Sequence, residues 1–156
     1  MRIVLVEPEI PQNTGSIARL AAATRTPLDL VGTLGFSLED RYLKRAGLDY
    51  WPLVELGVYP GWQEYLETSP NGASGRRLAF SVHAGPSYTE CLFKAEDSLV
   101  FGKESSGLGD DFLSDFDGQV YRIPIDEPGV RSLNLSNAVA IVLYEARRQL
   151  GLASVG

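Results

Sequence analysis

Residues 131–150 read RSLNLSNAVAIVLYEARRQL, and the fold turns on how this stretch is understood. Its second half is a helical pattern. Leu135, Ala138, Val139, Val142, Ala146 and Leu150 fall on one face, while Ile141 and Leu143 add apolar surface elsewhere. Gly151 follows as a stop, so the spacing predicts a helix from about Asn134 to Leu150. The first half is polar where a core should begin. Ser132 or Asn134 alone would suffice as an N-cap, yet Ser136 and Asn137 are present as well. Two explanations go beyond a generously capped helix. These side chains line a polar ligand cavity, or they satisfy a backbone that passes through the interior. A last helix with apolar surface beyond one stripe asks for two partners: its own sheet, and a second subunit.

Working outward, short apolar runs predict six strands: Ile3 to Glu7, Leu28 to Gly32, Leu53 to Tyr59, Arg77 to Val82, Ser98 to Gly102 and Gln119 to Ile125. Helical patterns lie between them. One is capped by Asn13 or Thr14 and runs to about Thr24; others span Ser37 to Gly47, Gly61 to Leu66 and Asp111 to Ser114. Ser69 to Arg77 has the composition of a surface loop. Alternating strands and helices predict an α/β protein, with a mostly parallel six-stranded sheet and helices on both faces. No repeat, low-complexity tract or linker divides residues 1–156, so one domain is expected. Ligands of such sheets bind at the carboxyl ends of the strands. Three loops stand there: PEIPQNTG (Pro8 to Gly15), GKESSGLG (Gly102 to Gly109) and DEPGVRSLNLSN (Asp126 to Asn137). The second matches neither a P-loop nor a dinucleotide glycine motif. Arg19 lies off the core face that Ile17 and Leu20 mark on the first helix, and Glu7 ends the first strand beside it.

Composition narrows the function. The net charge of −6 excludes a protein that coats nucleic acid by bulk charge, but it leaves room for a local patch. Arg19, Arg25, Lys44 and Arg45, all in the first half, are the basic residues proposed for such a patch. The lone Cys91 cannot form an internal disulfide and reads as a small apolar residue in a reducing compartment. The lone His83 cannot supply a metal cluster, and no metal is expected. No stretch is long enough to span a membrane. MRIVLVEPEI meets a carboxylate too early for a signal peptide, so a cytoplasmic location is expected. The residues by themselves support an α/β protein that binds a nucleotide-like ligand.

NTGSIARL, LVFGKESSGLG and IPIDEPGVRSLNLSNAVAIVLYEARRQLG resemble the three motifs of the SPOUT superfamily of knotted RNA methyltransferases. IVLVEPEIPQNTG and LGFSLEDRYLKRAGLDYW are similar to one branch, which methylates the ribose 2′-hydroxyl of the tRNA wobble nucleotide, a cytidine or modified uridine. The likeness runs from Ile3 to about Gly151. It implies a deep trefoil knot at the C-terminal end of the sheet, a homodimer, and S-adenosylmethionine bound in a bent form within the knot. It also implies that RSLNLSN is threaded through a loop of its own chain. Carried over by position, the cofactor residues are Ser81, Gly102, Glu104, Ile123, Ser132, Leu133 and Asn134, with adenine meeting backbone groups near Ile123 and Leu133. Arg19 and Asn13 face the reacting ribose, and Tyr144 is a tRNA-side or interface residue. The implied partner is the anticodon stem-loop of tRNA. Alternatives are the same chemistry at another tRNA or ribosomal RNA ribose, and a non-catalytic RNA-binding protein on the same fold. The chain departs from the pattern at Ser16, where Asn is expected, at Ser106, where Arg is expected, and at Lys103, which stands for an apolar residue or Pro.

Overall fold

The computed structural model describes residues 1–47, 49–72 and 74–152. Ala73 of the expected surface loop and residues 153–156 of the expected single domain lie outside them. Six strands form one sheet: β1 (Arg2–Val6), β2 (Leu28–Val31), β3 (Leu56–Tyr59), β4 (Arg77–Phe80), β5 (Ser98–Phe101) and β6 (Val120–Tyr121). Their order is β3-β2-β1-β5-β4-β6, and every pairing is parallel. Parallel strands are covered on both faces, which is why β1, β2, β4 and β5 read as nearly unbroken apolar runs.

Alternate residues divide between two cores. On one face Ile3, Leu5, Leu30, Leu99 and Phe101 meet α1 (Pro11–Thr24) and α5 (Leu135–Gln149) through Ile17, Ala21, Val139, Val142 and Leu143. On the other, Val4, Val31, Ala79 and Val100 meet Tyr65 of α3 (Trp62–Thr68) and, beyond α4 (Asp110–Leu113), Phe116. Each of the fully buried aliphatic side chains contributes about 1.5–3 kcal/mol by leaving water. The fifth helix, α2 (Arg41–Gly47), packs on α1, where a Cβ on Gly15 would lie 2.4 Å from that of Ala46.

Several expected boundaries move. The first helix begins at Pro11, behind Ile10 as N-cap; Asn13 and Thr14 are buried in its first turn and do not cap it. Proline suits that first position because its missing N–H would have no partner there. α2 starts at Arg41 and not at Ser37, because the Asp40 carboxylate accepts from the Tyr42 amide at 2.8 Å. Trp51–Leu53 forms a short 3₁₀ turn, so β3 is shorter than expected. The sixth strand keeps only Val120–Tyr121: Arg122 still pairs with Ser87, but Pro124 cannot donate to a ladder. Leu143 is a core residue, fully buried with Val139, Val142 and Ala146 at i, i+3, i+4 and i+7, so the outward apolar surface of α5 is carried by Ile141 and Tyr144.

Chain direction reverses its progress across the sheet between β1 and β5. Such a switch point is the usual ligand position of open α/β sheets, and here the loops that follow β1 and β5 meet at it.

Candidate active site

Two loops are clasped together at the switch point. The Glu104 carboxylate accepts from the amides of Glu9 (2.7 Å) and Ile10 (3.1 Å), at the start of α1. In return the Glu9 carboxylate accepts from the Ser105 amide and hydroxyl, both at 2.9 Å, and those bonds lower its pKa. Lys103 donates to Glu7 at 3.3 Å. A carboxylate at a helix N-terminus also sits favourably in the helix field. The loop can fold this tightly only with glycine at 102: a Cβ there would lie 2.2 Å from the Gly107 carbonyl carbon. Gly107, at φ +63°, turns the chain so that its amide reaches the Lys103 carbonyl at 2.8 Å.

Asn13 extends this network to the last helix. Its amide group donates to Glu104 at 3.3 Å, and its Oδ1 accepts from Asn134 at 3.0 Å. Asn134 in turn caps α5, accepting from the Ser136 amide (2.9 Å), the Ser136 hydroxyl (2.6 Å) and the Asn137 amide (3.4 Å). One continuous set of hydrogen bonds therefore ties both helix N-termini to the loop after β5.

Beside the network lies a cleft of about 490 Å³, lined by Val82 and His83 after β4 and by Arg122 to Pro128, Val130 and Arg131 after β6. That volume falls within the range of small-molecule sites. Its walls mix apolar side chains with exposed backbone. Among the described residues, the amides of Ile123, Ile125, Ser132 and Leu133 have no partner within the chain. Ile123 and Ile125 are half-buried and line the cleft, and Ser132 and Leu133 follow its last lining residue, Arg131; a flat heterocycle with edge acceptors would pair with donors of this kind. Ser81 closes β4 next to this cleft; its amide donates to Tyr121 and its hydroxyl accepts from His83. Gly85, at φ +84°, lets the following loop lie against β6, where a Cβ would sit 1.9 Å from the Val120 oxygen.

Arg19 stands elsewhere. It is exposed and lines a shallow groove of about 320 Å³ between α1 and α5, together with Ser16, Leu20, Ala23, Ser136 and Ala140. Asn13 points into the buried network, so the two residues expected to share the reaction centre face different sides of α1. No residue lines both the groove and the cleft.

The expected basic patch is also divided. Lys44 and Arg45 are exposed on α2, Lys44 paired with Glu39. Arg25 is the C-cap of α1, at the end where the strands begin, about 20 Å along the helix from the loops. Tyr144 is half exposed, with the Arg147 guanidinium 5.8 Å from its ring centroid. Ser16 and Ser106 are exposed. Among the described residues no cluster of His, Cys, Asp or Glu has the makings of a metal site, and no helix is long and apolar enough to cross a membrane. The clasp formed by Glu7, Glu9, Lys103 and Ser105 was invisible in the sequence, since its partners lie almost a hundred residues apart and follow no periodicity.

The six-stranded parallel sheet with helices on both faces matches the α/β architecture of RNA methyltransferase structures. The chain belongs to the SpoU rRNA Methylase family, whose sequence profile matches residues 1–144. It is 47% identical over 152 residues to a tRNA (cytidine(34)-2′-O)-methyltransferase of Polaromonas sp., covering 97% of this chain and 92% of that one. A protein of the same name from Acidovorax sp. is 48% identical over 148 residues, 94% of this chain and 90% of its own. A solved structure described as giving insight into the 2-OH methylation of C/U34 on tRNA superposes with a TM-score of 0.90 at 47% identity, covering 96% of this chain and 95% of the other. An AdoMet-bound rRNA methyltransferase from Sinorhizobium meliloti gives a TM-score of 0.82 at 27% identity, over 96% of this chain and 56% of the longer neighbour.

Proposed function

We propose that this protein transfers a methyl group from S-adenosylmethionine to the ribose 2′-hydroxyl of the wobble nucleotide of tRNA, a cytidine or modified uridine. The observation that carries this reading is the nearly end-to-end match, close to half identical, with relatives that bear that activity in their name. The more distant rRNA methyltransferase matches at only 27%, which favours tRNA over ribosomal RNA.

The cleft after β4 and β6 is where the cofactor fits. Backbone groups at Ile123 and Leu133 meet the adenine, and Ser81 and Ser132 flank it. Gly102, Glu104 and Asn134 act from outside the cleft's lining, through the clasp and the network that fix the loop after β5 and the start of α5. The segment from Arg122 to Asn134 is threaded as a deep trefoil knot. In support, the chain leaves β6 at the sheet edge yet returns to bond Asn13 beside β1 and β5. Such a return across neighbouring loops is rare in ordinary folds.

The reaction needs an activated methyl group, which the sulfonium of S-adenosylmethionine would supply, its S–CH3 bond breaking to leave a neutral thioether; the 2′-oxygen takes the methyl group and gives up its proton. Arg19 binds the phosphate next to the reacting ribose and orients the hydroxyl. An arginine keeps its own proton, so that proton passes to water or to the phosphate. Asn13 holds the helix that carries Arg19 in register with the cofactor walls.

Because groove and cleft share no residue, the working site is shared between two copies. The α1–α5 groove, with Ile141 and Tyr144 at its side, is covered by a second subunit, whose cleft Arg19 then reaches. Lys44 and Arg45 face the anticodon stem-loop. The substrate places the protein in the cytoplasm.

Mass spectrometry of nuclease digests tests the reading, after tRNA has been incubated with the protein and S-adenosylmethionine. A ribose-methylated wobble nucleotide is the expected product. Methylation at another ribose would move the assignment to a different target, and unmodified tRNA that still binds would leave an RNA-binding protein.

A further inference from the structure

We infer that Tyr50 is a positioning residue for Arg19, fixing the guanidinium before RNA arrives. The inference rests on the methyl-transfer reading above. The Arg19 guanidinium carbon lies 4.9 Å from the centroid of the Tyr50 ring. Its Nη2 lies 3.5 Å from the Tyr50 hydroxyl, at the outer limit for a hydrogen bond. The ring face is therefore the main restraint on the arginine, with a long hydrogen bond to the hydroxyl beside it.

An aromatic partner separates Arg19 from the ion-paired cations, and Arg41 over Tyr42 and Arg147 over Tyr144 share that kind of contact. Arg2, Lys44, Arg76, Lys103 and Arg148 are each matched by a carboxylate. Among the described residues Arg19 makes no ion pair. A carboxylate would hold Arg19 in place but neutralise it, and a phosphate would then have to displace that partner. An aromatic face restrains the side chain and leaves its charge, and every N–H but the one turned to the Tyr50 hydroxyl, for a phosphate.

Tyr50 is mounted firmly enough for the task. Its carbonyl accepts from the Leu53 amide at 2.9 Å and opens the 3₁₀ turn Trp51–Leu53. Trp51 packs against the core that α1 and α5 share, and the turn rests on α1. The ring thus belongs to a separate element from the helix that carries Arg19. It restricts a long, exposed side chain from outside, and orientation fixed in advance raises turnover more than affinity.

The test is a double-mutant cycle on the full chain, with kcat and KM for tRNA measured at saturating S-adenosylmethionine. Tyr50→Leu should lower kcat roughly tenfold, with KM, cofactor binding and melting temperature close to wild type. Tyr50→Phe should stay within about threefold, because it keeps the ring face. In the Arg19→Ala background Tyr50→Leu should cost nothing further, since the ring then has nothing to place. Tyr50→Ser replaces Leu in the cycle if the latter impairs folding. If Arg19→Ala loses turnover while Tyr50→Leu keeps it, this inference alone is overturned. An equal loss from Tyr50→Leu in both backgrounds also overturns it, and makes the ring an independent contact, such as a base-stacking surface. Normal turnover in Arg19→Ala removes the assignment of Arg19, and this inference falls with it.

Discussion

Asn134 accounts for the polarity of the stretch in which it sits. Its oxygen caps α5 and its nitrogen reaches Asn13, so one side chain serves two helices. The first role was legible, because an asparagine just before an apolar period is a cap signal. The second was not, because the partner lies 121 residues away and neither residue carries a local mark of the other. Arg19 shows the same division. The sequence placed it off the core face of its helix, where it is, but only coordinates put it over Tyr50 and away from Asn13. Its contribution can be measured directly. Arg19→Ala should keep the fold and the S-adenosylmethionine affinity and lose at least about a hundredfold in methyl transfer, or about 2.7 kcal/mol. Arg19→Lys should rescue little, because a point charge does not reproduce a planar fork on phosphate and hydroxyl. Raising the pH should restore part of the rate of the Ala variant, as hydroxide takes over removal of the proton. Rates measured from neutral to alkaline pH check both statements.

Among the elements, α5 was the most legible, since fifteen residues give a period room to repeat. The two-residue β6 was the least, since an apolar run there continues past the point where proline ends pairing. The last turns of α5 carry a pH signature. Hydrogen bonds from Arg148, then from Gln149, hold the Glu145 carboxyl at about 2, below its ordinary 4.5. A depressed carboxyl stabilises the fold above its unfolded pKa and loses that contribution as pH falls through the folded one. The window is therefore pH 4.5 down to about 2. The Glu145 side chain is largely covered but Arg148 is open to solvent, which screens the pair and keeps its worth to about 1 kcal/mol. Glu145→Gln should lower the melting temperature slightly at pH 7, and the difference from wild type should vanish near pH 2; thermal scans at both values decide it. The role proposed for α2 is electrostatic. Lys44 and Arg45 point to solvent, and Lys44 has only an exposed Glu39 to leave. Replacing both by Ala should weaken tRNA binding and flatten its salt dependence, with cofactor binding unchanged. Filter binding across a salt series reads this out, and an unchanged slope would place the RNA elsewhere.

For the whole molecule, alternation of strands and helices announced the parallel sheet, but nothing local announced that β5 inserts between β1 and β4. Strand order in such sheets is decided by crossovers, which depend on how helices pack and leave no mark on the strands. Two measurements address the assembled protein. S-adenosylmethionine at a hundredfold excess over its dissociation constant should stabilise the fold by about 2.7 kcal/mol, a melting shift of roughly 5–10 °C, while NAD and ATP do little. Light scattering at micromolar concentration should give twice the chain mass. A monomer would count against a shared site. The grip of Glu104 on the start of α1 also has a temporal side. A ribosome delivers Ile10 long before Glu104, so the helix that bears Arg19 first forms with its leading amides held by water alone. Until β5 arrives, β1 offers one bare edge to any extended chain nearby, the kind of edge that invites aggregation. The chain's second half thus acts as chaperone to its first, and a product released before Ser98 lacks both that cover and that grip.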